Sequence, residues 1–339
     1  YVREYFGNTR GWFRRSWRDG SGKRGVWYVT MWVVKSVEVF VVYVIGVVEN
    51  VLHMLLFALG KRRKLLAGSS TIPDLVVGHR GCRYIKRSAE RGGGEIAENT
   101  IEAFEFVYQE GGKVIELDTQ VCKDGQAVVF HDEEVVMRGG ARRHVGDMTL
   151  AELQAWGRVE GYDIPTLREV LEFAQKKDLF VLVEGKGSNS HIADLTLEIV
   201  HDLDMYDSVM FIAFSYLCVL RMRHLLAQHP GGHFDVCFLF KLRPLCTYRK
   251  RLRQSWLTPL VPLAEFFLFY FFWLPFALCL RPDLLGPEQA ALAYYPHRIA
   301  IVQSLGFNVY TWTVNDAKMG KFFEQNNIPY GTDDLRIMQ

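Results

Sequence analysis

From residue 74 onward, apolar runs alternate with helical patterns, which predicts an α/β fold built on parallel strands. Three observations narrow this to a (β/α)8 TIM-type barrel, with an N-terminal membrane helix and a hydrophobic interfacial insertion added to it. Eight runs read as strands, the number that closes such a barrel. Helix-start signals stand between most of them. The ionisable residues gather where the runs end.

Composition sets the outer limits. A chain of 339 residues can bury one large core or two modest ones. The formal net charge of +2 implies no field for a polyanion, so no nucleic-acid partner is expected. Six cysteines (Cys82, Cys122, Cys218, Cys237, Cys246 and Cys279) include no CxxC pair, which argues against a zinc site and a disulfide framework.

Residues 1–25 are a basic N-terminal segment, and residues 26–64 hold the expected membrane helix with its KRRK flank. At ~1.5 Å per residue, Val37 to Leu59 is long enough to cross a hydrocarbon layer of ~30 Å. Glu38 and Glu49 are costly in lipid, so a tilted or monotopic helix with Lys35 and Glu49 on a polar face competes with a span. Basic residues flank both sides, so charge sets no orientation.

The barrel is expected over 74–335, interrupted by a membrane-interacting insertion at 241–286. Its first strand is LVVGHRG (75–81), followed by a helix, NTIEAFEFVYQ, with Asn99 as N-cap. The second is KVIELDTQ (113–120), after which VCKDGQ runs back to the barrel base and turns at Asp124-Gly125. QAVVFHD (126–132) is the third strand and brings His131 to the rim beside Asp118. TLAELQAW and TLREVLEFAQ each open with a T-x-x-E capping box. FVLVEGKG (180–187), SVMFIAFS (208–215) and FDVCFLF (234–240) follow as strands, and NVYTWTVN (308–315) with PYGTD (329–333) complete the eight.

Within the insertion, residues 257–280 are strongly apolar, but Pro259, Pro262 and Pro275 are expected to break a continuous helix. Lys241, Arg243, Arg249, Lys250, Arg251 and Arg253 precede it, suited to anionic headgroups. Because strands lie on both sides of this segment in sequence, a crossing here would split the barrel across the bilayer. The segment must therefore enter and leave by one face.

The strand ends carry the chemistry. The first ends in His79-Arg80, the second in Glu116-x-Asp118, the third in His131-Asp132 and the fourth in Glu184-x-Lys186. In a barrel these ends converge on one mouth. Glu116 and Asp118 are two apart and face the same way. With Glu184 they make an oxygen-rich cage for one divalent cation, Mg²⁺ or Ca²⁺. Arg80 and Lys186 bring positive charge for a phosphate. His79 and His131 can divide the acid and base roles. Trp312 and Asn315 stand near the end of NVYTWTVN, and Glu98 and Asn99 just before a helix, as supporting candidates.

The motifs HRG, ENT, ELD, KDG…VVFHD, VEGK and YTWTVN…TDD resemble the glycerophosphodiester phosphodiesterase family, most of all its membrane-associated eukaryotic members. The resemblance spans about residues 74–240 and 290–335. It implies a metal-dependent phosphoric diester hydrolase. His79 and His131 would be the acid/base pair, Glu116, Asp118 and Glu184 the metal ligands, and Arg80, Lys186 and Trp312 the substrate contacts. The expected substrate is a glycerophosphodiester or lysophospholipid, cleaved to glycerol 3-phosphate or a lysophosphatidic-type product plus an alcohol. The expected partner is a lipid bilayer, endomembrane or plasma membrane. The competing readings are a phospholipase C/D-like enzyme on the same barrel and a catalytically silent membrane scaffold. CRYIKRSAERGGGEIAE, between HRG and ENT, is longer than the usual family loop, and its glycines suggest a mobile rim.

Overall fold

In the strands, side-chain parity sorts residues between two cores. In β6 (Phe180–Gly185), Phe180 and Leu182 point into one cluster with Val77, Val114, Met210 and Ile212, whereas Val181 and Val183 join a larger cluster beneath the helices. The first cluster is the barrel interior and the second is the layer between strands and helices.

The computed structural model describes residues 72–83, 94–229, 231–241, 260–294 and 297–338, with the single residues Val33, Val37, Val44 and Val48. The expected membrane helix at 26–64 lies outside the described residues except for those four valines, which are helical and exposed. The basic segment 1–25, the rim stretch 84–93 and the basic run beyond Lys241 also lie outside them. Among the described residues no single helix is long and apolar enough to cross a membrane, the apolar stretch 260–280 being divided into two short α-helices by a π turn.

The chain runs β1 (Val76–Gly78), α1 (Ile101–Gln109), β2 (Val114–Val121), β3 (Ala127–Val129), β4 (Glu134–Val136), β5 (Arg142–His144), α2 (Leu150–Glu160) and α3 (Leu167–Lys177). It continues through β6, α4 (His191–Leu203), β7 (Val209–Ala213), α5 (Tyr216–Gln228) and β8 (Val236–Phe240). Next come α6 (Leu260–Phe267), a π-helical turn (Leu268–Trp273) and α7 (Leu274–Leu280). The last elements are β9 (Leu284–Pro287), α8 (Gln289–Tyr294), α9 (His297–Ser304), β10 (Asn308–Val309), α10 (Ala317–Gln325) and β11 (Tyr330–Thr332). The parallel strands lie in the order β10-β9-β8-β7-β6-β2-β1-β11. Closure comes from a parallel bridge between Thr311 and Tyr330, where Thr311 N–H donates to Pro329 and Gly331 N–H to Thr311.

Among the described residues eight parallel strands form the barrel, but they are not quite the eight expected. QAVVFHD is not a barrel strand. Its core, β3, pairs antiparallel with β2 off the main path. Because β2 runs past its partners, the Asp124-Gly125 turn lies above the mouth rather than at the base, with Gly125 at φ 77. The missing strand is β9, LLGP, inside the stretch assigned to the insertion. It has no β-branched residue and contains both Gly and Pro, so its propensity is poor; neighbouring strands make it a strand.

The segment before it also differs. Residues 260–280 are helical throughout: α6, the π turn and α7 follow one another, and the residues flanking the π turn, Phe267 and Leu274, keep helical φ and ψ. Pro262 is the third described residue of α6. Pro275 lies just after the π turn, whose wider hydrogen-bond spacing absorbs the missing donor. This helix is the crossover from β8 to β9, and Phe269, Leu274, Ala277 and Leu280 are buried in the outer core.

Both T-x-x-E boxes form, at Thr149/Glu152 and Thr166/Glu169. Thr166→Ala is expected to lower stability by about 1 kcal/mol, the usual loss for an N-cap. A urea midpoint identical to wild type would show that the box contributes nothing. The first helix is capped by Thr100, not Asn99: Thr100 accepts from Ala103 N–H, while Asn99 turns away at φ 59.

Candidate active site

Interior parity runs along the strands to their carboxyl ends and just beyond, and this builds the site. Val77 leads to His79, Val114 to Glu116 and Asp118, and Leu182 to Glu184 and Lys186. The β2–β6 register sets Asp118 opposite Glu184, with Glu116 one interior step deeper. One ligand oxygen from each of Glu116, Asp118 and Glu184 lies within 4.8 Å of the others, and all three residues are buried.

The surroundings hold each carboxylate still. Glu116 accepts from Arg80 backbone N–H at 2.9 Å. Asp118 accepts from Asn99 Nδ2 at 2.8 Å, while its own N–H donates to Asn99 Oδ1 at 3.1 Å. Asn99 is therefore a partner of the cage rather than a cap. Arg80 Nε lies 3.1 Å from Asp118, and Lys186 Nζ lies 2.9 Å from Asp118 and 2.5 Å from Glu184. Glu98 stands outside the cage and holds Arg80 Nη1 at 2.9 Å, with Arg83 on its other side.

The donor set fits a hard cation. Glu116 Oε1 has no hydrogen-bond partner, and Asp118 Oδ1 and Glu184 Oε1 have only the Lys186 ammonium against them. Buried carboxylate oxygens left so are costly unless a cation is shared among them. The electrostatics agree. Burial, helped by the charge of Asp118, raises the pKa of Glu116, and burial also raises that of Glu184. Burial works against the Asp118 anion, but Lys186 and Arg80 outweigh it and hold its pKa low.

The histidines are held differently. His79 Nδ1 lies 2.7 Å from Asp333 Oδ1, and Asn315 Nδ2 donates to Asp333 Oδ2 at 2.6 Å. Nε2 of His79 faces Glu116 at 3.9 Å. Burial disfavours the His79 cation, yet Glu116 and Asp333 together raise its pKa. His131 reaches the rim on the descending hairpin and interacts electrostatically with Asp118. Its Nδ1 lies 2.7 Å from Asp132, and burial lowers its pKa, with Lys186 and Arg80 adding to the shift. Asp333 is the residue that sequence reasoning missed. The TDD motif was visible, but nothing local indicated that β11 lies beside β1.

Two further side chains come to the mouth by the same parity: Ile212 leads to Phe214, and Leu239 to Lys241. Phe214 packs edge-on against Trp312 at 5.1 Å, and Lys241 Nζ lies 4.9 Å and 5.5 Å from the two ring centroids. Trp312 Nε1 donates to Gly286 O at 3.0 Å. Trp312 is thus an aromatic wall of the mouth rather than a contact to the cage.

Gly81 makes the HRG turn possible. Its φ is +72, and a Cβ there would lie 2.7 Å from Ala103 Cβ and 2.8 Å from the Ala103 backbone. Gly81→Ala is expected to cost about 1–3 kcal/mol and to displace Arg80. Unfolding and activity measured together would show this; an unchanged thermal midpoint would mean the turn accommodates a methyl.

The fold and site define a β/α barrel with three buried carboxylates at its mouth that could hold a cation, beside the positive charges of Arg80 and Lys186. The profile of the glycerophosphoryl diester phosphodiesterase family matches residues 79–336, and the chain belongs to that family. It is 31% identical over 175 residues to a glycerophosphodiester phosphodiesterase of Caldanaerobacter subterraneus, covering 49% of this chain and 68% of that protein. To human lysophospholipase D GDPD3 it is 26% identical over 251 residues, covering 68% of this chain and 76% of the relative. The chain spans 57% and 63% of the length of two Bacillus subtilis relatives it matches. A phosphodiesterase from Oleispira antarctica, solved with sn-glycerol-3-phosphate, shares the fold at a TM-score of 0.56 and 18% identity, covering 77% of this chain and 93% of that one.

Proposed function

We propose that this chain is a metal-dependent phosphodiesterase that hydrolyses glycerophosphodiesters or lysophospholipids at a membrane. The products are glycerol 3-phosphate or a lysophosphatidic-type phosphate, plus an alcohol. The observation that carries this reading is the convergence of three buried carboxylates, within 4.8 Å of one another, beneath Arg80, Lys186 and the two histidines. An all-oxygen donor set suits Mg²⁺ or Ca²⁺. When bound, such a cation supplies Lewis-acid polarisation of the phosphate and neutralises charge that develops on it.

The protein's own groups account for the remaining steps. Arg80 and Lys186 orient the phosphate between the two histidines and stabilise its negative charge. One histidine takes a proton from the nucleophile, a water or the glycerol 2-hydroxyl, and the other gives one to the departing alkoxide oxygen. Asp333 fixes the tautomer and ring orientation of His79, so that Nε2 is the nitrogen offered to the substrate. The apolar N-terminal stretch and the basic run that begins at Lys241 support the membrane setting, at an endomembrane or the plasma membrane.

The test is product analysis with the purified chain on glycerophosphocholine, glycerophosphoinositol and lysophosphatidylcholine, with and without Mg²⁺ or Ca²⁺. Release of a glycerol phosphate or lysophosphatidate with the free alcohol is expected. Release of glycerol or a monoacylglycerol together with a phosphorylated headgroup would support the phospholipase C reading instead.

A further inference from the structure

The helix from 260 to 280 is longer than its crossover requires. At ~1.5 Å per residue it extends about 30 Å, several turns more than the short strands β8 and β9 it joins. A crossover between parallel strands returns from the mouth to the base, so its N-terminal half lies at the mouth end. α7 packs inward as barrel helices do, and its Phe276 meets Tyr216, the first residue of α5, edge-on at 5.9 Å. Residues N-terminal to Phe276 therefore continue past the start of α5, toward and beyond the rim.

That half exposes large apolar side chains. Leu263, Phe267, Leu268 and Phe271 are exposed, Phe271 at 63%, and so are Tyr216 and Leu217 at the start of α5, where Tyr216 meets Phe276. Isolated exposed apolar residues are ordinary; a contiguous set of aromatics on one side of a barrel is not. In sequence this face is preceded by six basic residues between 241 and 253, and within 257–280 the only charged residue is Glu265. An apolar face with an adjoining cationic stretch is complementary to an anionic bilayer surface, where aromatics enter the interface and Lys and Arg pair with headgroups. The face also leads into the site: Phe214, two residues before Tyr216, lines the mouth with Trp312.

We propose that the exposed face of 263–271, with the start of α5, lies flat on the bilayer without crossing it and sets the barrel mouth at the lipid surface. A lysophospholipid can then slide its acyl-bearing glycerol arm along the Phe214–Trp312 wall while its phosphate reaches Arg80 and Lys186 above the carboxylates. This rests on the phosphodiesterase reading above and narrows its preferred substrate to one held in a membrane.

The test pairs two readouts on the full chain. In a Cys246→Ser, Cys279→Ser background, a bimane label is placed at Phe271→Cys or at Lys176→Cys, in the last turn of α3 at the barrel base. Phosphatidylcholine–phosphatidylserine vesicles carrying nitroxide lipids should quench the label at 271 and leave the label at 176 bright. Separately, the Phe267→Glu, Phe271→Glu double variant should lose about tenfold or more in hydrolysis of vesicle-borne lysophosphatidylcholine, since two inserted rings are replaced by charges. Its hydrolysis of soluble glycerophosphocholine should not change. Equal quenching at 271 and 176, or none at 271, overturns the proposal. So does a double variant that acts on both substrates like wild type, or one that merely turns a dimer into a monomer. A wild-type chain inactive on every diester would refute the enzymatic reading, while quenching would still decide the docking.

Discussion

His79→Ala and His131→Ala are each expected to lower kcat by about 10²–10⁴, the scale of a lost general acid or base. The two side chains approach the cage from different elements, His79 from the end of β1 and His131 from the descending hairpin, so neither can take over the position of the other. The double variant should fall by less than the product of the single losses, because the two act on one reaction. Asp333→Asn should weaken kcat with little change in KM, because it leaves the His79 ring in place but unsettles its tautomer. Steady-state kinetics on glycerophosphocholine decide the matter. Either single alanine variant with wild-type kcat would remove that histidine from the reaction.

The second large effect concerns the cage. Removing divalent cations with a chelator should abolish hydrolysis, and Mg²⁺ or Ca²⁺ should restore it. Glu116→Gln and Glu184→Gln should each weaken metal affinity by on the order of 10²-fold or more, since even outer partners of metal ligands typically contribute 10–100-fold. Stability should move little or rise in the cation-free protein. Each change removes a buried negative charge from a cluster in which Glu116 Oε1 has no hydrogen-bond partner. Calorimetric titration with the metal, read beside the thermal midpoint, separates lost ligation from lost fold. Full activity in excess chelator would refute the cage.

The two kinds of residue differed in how far they could be read from sequence. Glu116, Asp118, Glu184 and Lys186 were legible because they continue a period-two alternation within single strands, and a strand carries that parity wherever it is placed. Phe214 and Lys241 obey the same parity and could have been found by it, but Phe214 is one more apolar residue in an apolar run, and Lys241 reads as the first of a basic stretch rather than as the end of a strand. Asn99 was named as a supporting site candidate but also taken as the helix cap, because its local context, just before a helix, is that of a cap. Its actual role needs β2 beside the first helix, and no local pattern encodes that. β9 was hidden for a related reason: LLGP has weak strand propensity and owes its conformation to β8 and β10.

The sequence alone determined the α/β class, the capping boxes and the polar residues at the strand ends, because each follows from interactions among near neighbours along the chain. The tertiary structure decided which strands close the barrel, that β3 folds back above the mouth, and that Asp333 at the far end of the chain holds His79. It also decided that a segment with prolines at 262 and 275 runs on as one helical stretch. These outcomes depend on residues brought together across long separations, where burial and hydrogen bonding outweigh the modest local preferences of any short stretch.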